Sequence, residues 1–426
     1  MEKYALINGF VLDGTKDMEP YRANVLVEDE KIVSINNDEI SSDYKIIDLN
    51  GKYLMPGLIN MHVHLAGNGK PQKKQRDNEK LVNFIFATAI GRYIARKLVE
   101  KYAQIELFSG VTTIRTVGGL KDLDTRTRDK INKGEIVGPR ILASNTAISV
   151  PGGHMAGSVA RACSDVDDAL SFIDELKKEN VDLIKLMITG GVMDAKEKGV
   201  PGQVKMPLEM VKACVEKAHS LGYIVSAHVE SSEGVKIALE NGVDSIEHGA
   251  ILDDECIKLF KEHGAFLVCT ISPGLPYALF DREVSHSSEV EKYNGEIVFN
   301  GFIEASKKAL ENNIPVALGN DVGCPWISQY DFYRELVYFH KYVGVSNAYA
   351  LYSATLNNAS LAGIGDITGS IECGKYADMI VTSNNPLDDL NNLRKVDMVI
   401  SKGKIFNSPS VKRNAYVDSY LDKYMK

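Results

Sequence analysis

Lys185 stands where a bare ammonium is out of place. It is set in Val181-Asp182-Leu183-Ile184-Lys185-Leu186-Met187-Ile188, a run so apolar that it reads as a buried strand. Burying an unpaired ammonium is costly, or forces the amine to lose its charge. A neutral amine can capture carbon dioxide and become a carbamate, an anionic ligand whose two oxygens can bridge two metals. Alone, Lys185 would read as the partner of a core carboxylate. It has company of the right kind, however: His62 and His64 upstream, and His228, His248 and Asp321 downstream. Imidazole and carboxylate are the donors that hold catalytic divalent cations.

The elements that must position these residues follow from the pattern. Eight strand candidates run through the middle of the chain: Leu58 to His64, Val111 to Val117, Arg140 to Ser144, Asp182 to Ile188, Tyr223 to His228, Asp244 to His248, Ala265 to Ile271 and Pro315 to Asp321. Helical stretches separate them, among them Leu81 to Leu107, Val166 to Glu179, Pro207 to Leu221, Ser232 to Asn241 and Gly301 to Asn312. Gly110, Gly222, Gly242 and Gly264 precede strands, as helix C-caps do. This alternation predicts an α/β chain built on a (β/α)8, TIM-like barrel. Side chains alternate along a strand, so Leu58, Asn60, His62 and His64 share one face. Every candidate ligand falls toward the C-terminal end of its strand, the barrel face where active sites sit.

The two chain ends read differently. Tyr4 to Ile7, Asn24 to Glu28, Lys31 to Ile35 and Lys45 to Leu49 are short strands with turns, and Ala377 to Thr382, Met398 to Ser401 and Lys404 to Phe406 repeat that character. Together they are expected to form a small β-sandwich domain from residues 1–56 and 365–426, with the barrel, 57–364, inserted between them.

Bulk properties narrow the function. A chain of 426 residues with 44% hydrophobic and 25% charged residues suits a globular enzyme, and a net charge of -8 argues against nucleic acid as a partner. The six cysteines, Cys163, Cys214, Cys256, Cys269, Cys324 and Cys373, contain no C-x-x-C pair, so reduced thiols are expected rather than a disulfide framework or a Cys-type zinc site. No secretory pattern opens the chain, and no apolar run approaches a membrane span of about 18 residues. A cytoplasmic protein with no membrane partner is the expectation.

Finer motifs point to a family. The H-x-H after Pro56-Gly57-Leu58-Ile59, the strand-four Lys, two later single His residues and the strand-eight Asp resemble the amidohydrolase superfamily, over nearly the whole chain. Thr112-Thr113-Ile114-Arg115, Gly118-Gly119, Pro151-Gly152-Gly153-His154, Thr189-Gly190-Gly191 and Glu247-His248-Gly249 are similar to the branch of Xaa-Pro dipeptidases, arginine carboxypeptidases and ochratoxin-cleaving amidases. The resemblance implies two divalent metal ions, zinc foremost, with manganese or cobalt also suited. His62, His64 and Asp321 would bind one, His228 and His248 the other, and Lys185 carboxylated by carbon dioxide would bridge them. It implies attack by a metal-bridging hydroxide on an amide bond of a small peptide-like or N-acyl amino acid substrate, with Asp321 moving the proton and His154 binding the substrate carbonyl. A homo-oligomer is implied as well.

Three departures stand out: Asn320 where Thr or Ser is commoner, Thr116 where Asp often follows the Arg, and Val229-Glu230-Ser231 after His228. The third falls in the substrate pocket and sets dipeptide specificity apart. Arg115 could meet a substrate carboxylate or be paired internally. The loop Val322 to Trp326 is expected to line the pocket, with Trp326 a pocket wall or a domain contact. Lys70 to Lys80, with five basic residues, reads as a solvated loop or as a lid that attracts a carboxylate. His219, His263, His286 and His340 receive no role. Two alternatives are a hydrolase of cyclic amides or lactones, imidazolonepropionase-like, and a metal-free binding or scaffold homologue.

Overall fold

The computed structural model describes residues 2–72 and 77–426. Of the basic stretch, Lys73, Lys74 and Arg76 therefore lie outside the described residues. The chain divides into two compact units, Met1–Met61 with Ala103–Ile114 and Gln329–Lys426, and His62–Tyr102 with Arg115–Ser328.

The first unit brings the chain ends together. Tyr53–Pro56 pairs antiparallel with Met379–Thr382, Met55 opposite Ile380. Both strands belong to a six-stranded sheet; a four-stranded sheet holds Lys3–Ile7, Asn24–Glu28, Lys31–Asn36 and Lys45–Asp48. Strand alternation drives their inner faces into one core: Tyr4, Leu6, Val25 and Val27 from the N-terminal strands meet Met379, Val381 and Ile400 from the C-terminal ones.

The eight barrel strands are observed at Leu58–Val63, Val111–Thr116, Arg140–Ala143, Leu183–Met187, Ile224–Val229, Ser245–His248, Phe266–Cys269 and Val316–Leu318. From the fourth to the eighth they pair in parallel, in sequence order, Lys185 opposite Ser226 and His228 opposite Glu247. The end of the eighth meets the end of the first: the Asp321 N–H donates to the His62 carbonyl at 3.0 Å and the His64 N–H to that of Val322 at 2.9 Å. The fold is a (β/α)8 barrel.

Two elements differ from expectation. The third strand is split: Arg140–Ala143 sits in a sheet with the first two strands, whereas Ala147–Ser149 pairs with the fourth, Ile148 opposite Leu186. Asn145 turns the chain between the pieces at φ 55, a left-handed conformation that Asn tolerates. The helix expected over Leu81 to Leu107 is two helices, Asn78–Ala87 and Ala89–Phe108. Thr88 breaks it, being extended itself while its hydroxyl accepts from the Gly91 N–H at 3.0 Å and caps the second helix. The stretch read as Gly301 to Asn312 is the C-terminal part of a longer helix, Glu289–Glu311, capped by Ser288; Gly264 closes Asp254–His263 at φ 63.

Candidate active site

Every predicted site residue of the barrel faces one cavity. His62, His64, His154, Lys185, His228, His248 and Asp321 all line a space of about 280 Å³ within the second unit. A larger cavity of about 680 Å³ on the far side of Glu230 contains none of these imidazoles, so the chemistry belongs to the smaller one. Two overlapping trios hold their ligand atoms within 4.8 Å of one another: His62, His248 and Asp321, and His228, Glu230 and His248.

The hydrogen bonds behind the imidazoles decide which nitrogen faces inward. His62 Nδ1 lies 2.7 Å from Glu247 Oε2, and His64 Nδ1 lies 2.8 Å from the Gly118 carbonyl. A carboxylate and a carbonyl only accept, so each Nδ1 carries the hydrogen and each Nε2 keeps a lone pair for the cavity. His248 Nδ1 is held by the Thr270 hydroxyl at 2.7 Å. His228 is turned the other way, its Nε2 3.4 Å from the Gly190 carbonyl, which leaves Nδ1 inward.

Those lone pairs meet another acceptor. Asp321 Oδ1 lies 3.1 Å from His64 Nε2 and 3.6 Å from His62 Nε2. Acceptors facing each other at that range need a cation between them. With a proton as the only cation at hand, the His64 pKa rises: burial lowers it, and the Asp321 hydrogen bond and charge outweigh that. Burial first of all pushes His62 down to about 4 and His228 and His248 well below the ordinary imidazole value, so these three rings are neutral donors at pH 7. Asp321 is held far below the usual carboxylate range: burial opposes this, but His62, His64 and His248 prevail.

Lys185 completes the set. It is 1% exposed, and its Nζ has no hydrogen-bond partner. Burial lowers its pKa to about 8, with Glu247 and Asp321 working against that and Arg115 with it. A buried amine without a partner, inward-facing imidazole nitrogens and an ionised carboxylate fit a divalent-metal centre. The backbone also bends to this end, for His248 and Asp321 both sit at positive φ, 70 and 55, where residues other than Gly are strained. Gly319 is needed because a Cβ there would lie 2.5 Å from His62 Cβ.

Four supporting residues escaped the sequence reading of roles. Glu247 is completely buried; its Oε1 accepts from Arg115 Nη2 at 2.6 Å and from the Ser226 and Ser245 hydroxyls at 2.7 and 2.9 Å, while Oε2 takes His62. This resolves Arg115 as an internal partner. Asp194 Oδ2 lies 2.5 Å from His154 Nδ1 and accepts from the Gly191 N–H at 2.8 Å. Although burial opposes it, the His154 contact holds the Asp194 carboxyl below its usual range. His154 stacks on His228 with centroids 4.0 Å apart and planes 6° from parallel. Thr270 and Glu230 are the others. The signal for Glu230 was its place in Val229-Glu230-Ser231, just after His228 at the end of the fifth strand. Trp326 is not a pocket wall: Gly323, Cys324 and Pro325 line the cavity, and Trp326 is buried edge-on against Phe280 at 4.9 Å.

Comparison with known proteins places this geometry. The amidohydrolase family model matches residues 53–406. The chain belongs to the amidohydrolase family. A prolidase-like protein from Bifidobacterium longum is 35% identical, with a TM-score of 0.87 over 99% of this chain and 98% of its own. A Xaa-Pro dipeptidase crystallised with methionine in its active site is 29% identical, with a TM-score of 0.84 over 95% of this chain and 100% of its own. Ochratoxinase of Aspergillus niger is 25% identical over 438 aligned positions, covering 95% of this chain and 86% of the relative. This amidohydrolase is thus an enzyme of the hydrolase class acting on amide or peptide bonds, and its family generally uses divalent metals. Among the described residues, no helix is long and apolar enough to cross a membrane.

Proposed function

We propose that this amidohydrolase is a binuclear metalloenzyme that cleaves an amide bond of a small peptide-like or N-acyl amino acid substrate, in the manner of a Xaa-Pro dipeptidase or carboxypeptidase. The observation that carries this reading is the unpartnered Lys185 amine in a cavity lined also by His62, His64, His228, His248 and Asp321. As the neutral amine, Lys185 could add through Nζ to carbon dioxide and lose a proton, giving a carbamate able to serve as an anionic ligand. His62, His64 and Asp321 would hold one cation, and His228 and His248 the other. The cations, zinc in the first instance, supply the Lewis acidity that acidifies a water and polarises the scissile carbonyl.

Asp321 takes the proton of that water and returns it to the leaving amine nitrogen. His154, with Nδ1 tied to Asp194, is the group offered to the carbonyl oxygen as negative charge develops there. The deep cavity would keep the attacking water in a defined place.

The division into a β-sandwich domain (1–56 with 365–426) and a hydrolase domain (57–364) belongs to the same proposal, supported by the pairing of Tyr53–Pro56 with Met379–Thr382. So do a cytoplasmic location and a homo-oligomer. The latter is supported by the exposed apolar side chains of Asn78–Ala87 and Ala89–Phe108, where Phe84 is 76% and Ile90 74% exposed. The test of function is metal analysis of the purified protein, followed by a screen of Xaa-Pro, Xaa-Arg and N-acyl amino acid libraries. Two bound metals and hydrolysis in one of these sets are expected; a metal-replete protein that cleaves none of them would overturn the reading.

A further inference from the structure

Glu230 has no part in the chemistry above, yet it projects into the same cavity. It lies just past the end of the fifth barrel strand, Ile224–Val229, two positions after His228, and lines the cavity with it. One of its carboxylate oxygens lies within 4.8 Å of ligand atoms of both His228 and His248, close to where a scissile carbonyl must sit. Its Oε2 has no hydrogen-bond partner. A buried acceptor left open costs free energy that a bound donor would return.

The cavity's composition identifies the donor. Among the described residues lining it, the only lysine is Lys185 and there is no arginine, so none of them pairs with Glu230 as a surface base would. The remaining walls are largely apolar: Leu81, Ile85, Met155, Met193, Tyr277 and Phe302. An open carboxyl acceptor beside the reacting carbonyl, with an apolar wall beyond, matches an aminoacyl group. The α-ammonium of such a group is attached to the carbon next to the scissile carbonyl, and an apolar side chain branches from that same carbon.

We infer that Glu230 is a specificity-determining residue that accepts the free α-ammonium of the substrate's acyl part. The enzyme therefore selects aminoacyl amides with apolar side chains over N-acylated or des-amino amides. This deepens the amide-hydrolase reading and rests on it.

The test uses the zinc-loaded enzyme and a pair of ligands that cannot be hydrolysed, the aminophosphonic acid analogue of leucine and its des-amino counterpart. Calorimetry on the natural protein is expected to show the amine-bearing ligand binding about tenfold tighter or more, as a charge-assisted hydrogen bond requires. In Glu230→Gln that ratio is expected to fall below about threefold with the metal content kept. Equal affinities in the natural protein, or a ratio that survives the substitution, would overturn the inference. So would loss of metal from the variant, which would make Glu230 a ligand. The binding ratio is read without turnover, so an enzyme that cleaves no amide would overturn the hydrolase reading alone.

Discussion

His62 and Glu247, 185 positions apart in the chain, meet at 2.7 Å, and this contact fixes which nitrogen of His62 faces the cavity. Glu247 can hold the ring still because Arg115, Ser226 and Ser245 occupy its other oxygen. The outer partner of a ligating imidazole tunes both its orientation and its basicity. Glu247→Gln is therefore expected to weaken metal binding about 10–100-fold, measured by competition with a chelator. Unchanged affinity would show that the contact merely packs the core.

Lys185→Ala removes the proposed bridging group. Metal content should fall from two ions toward one, and kcat by roughly 10³-fold or more, because a metal acting as Lewis acid contributes several kcal/mol. Short-chain carboxylic acids, which can place two oxygens in the vacated space, should restore part of both. Full metal content and turnover in the variant would refute the bridging role.

His154 and Asp194 act as a pair at 2.5 Å. His154→Ala should lower kcat by about 10²–10³-fold, the usual loss for one oxyanion donor, with a smaller change in KM. Asp194→Asn, which leaves the imidazole present but without its charged partner, should lower kcat less. Steady-state kinetics on one good substrate would separate the two; an effect confined to KM would make His154 a binding group only.

Arg334 is 1% exposed and pairs with Asp331 at 3.0 Å, Asp418 at 2.8 Å and Asp422 at 2.7 Å. Arg334→Met leaves Asp331 and Asp418 with Arg413 and Asp422 with Arg394, and should destabilise the protein by about 1.5–3 kcal/mol for the lost charged hydrogen bonds, read by urea unfolding. Burial opposes ionisation of Asp422, but Arg394 and Arg334 hold its carboxyl below the usual range. A depressed pKa in the folded state means stability that is complete above the unfolded value and is lost as pH falls through the folded one. Asp422→Asn should therefore flatten the acid limb of the unfolding curve, and an unaltered limb would exclude this contribution.

The exposed apolar residues of Asn78–Ala87 and Ala89–Phe108 give the assembly its test. Phe84→Glu together with Ile94→Glu should reduce the mass seen by light scattering to that of one chain. A natural protein that is itself monomeric would dispose of the oligomer.

The order of elements was readable from sequence because it depends on local physics. Period-two alternation placed His62 and His64 on one face, and apolar runs bounded by Gly110, Gly222, Gly242 and Gly264 marked the strands between helices. The same rules put Lys185, His228, His248 and Asp321 at or near the C-terminal halves of the fourth, fifth, sixth and eighth strands, and all of them line one cavity. Tertiary structure alone decided who stands behind them. Whether His62 is backed by Glu247, whether Arg115 is used internally and whether Asp194 reaches His154 depend on the stagger of strands around a closed barrel and on the path of a loop. Both bring together residues whose separation along the chain carries no periodic signal. The split third strand and the break at Thr88 were hidden for a related reason, since one left-handed Asn or one capping hydroxyl interrupts an element without changing its hydrophobic pattern.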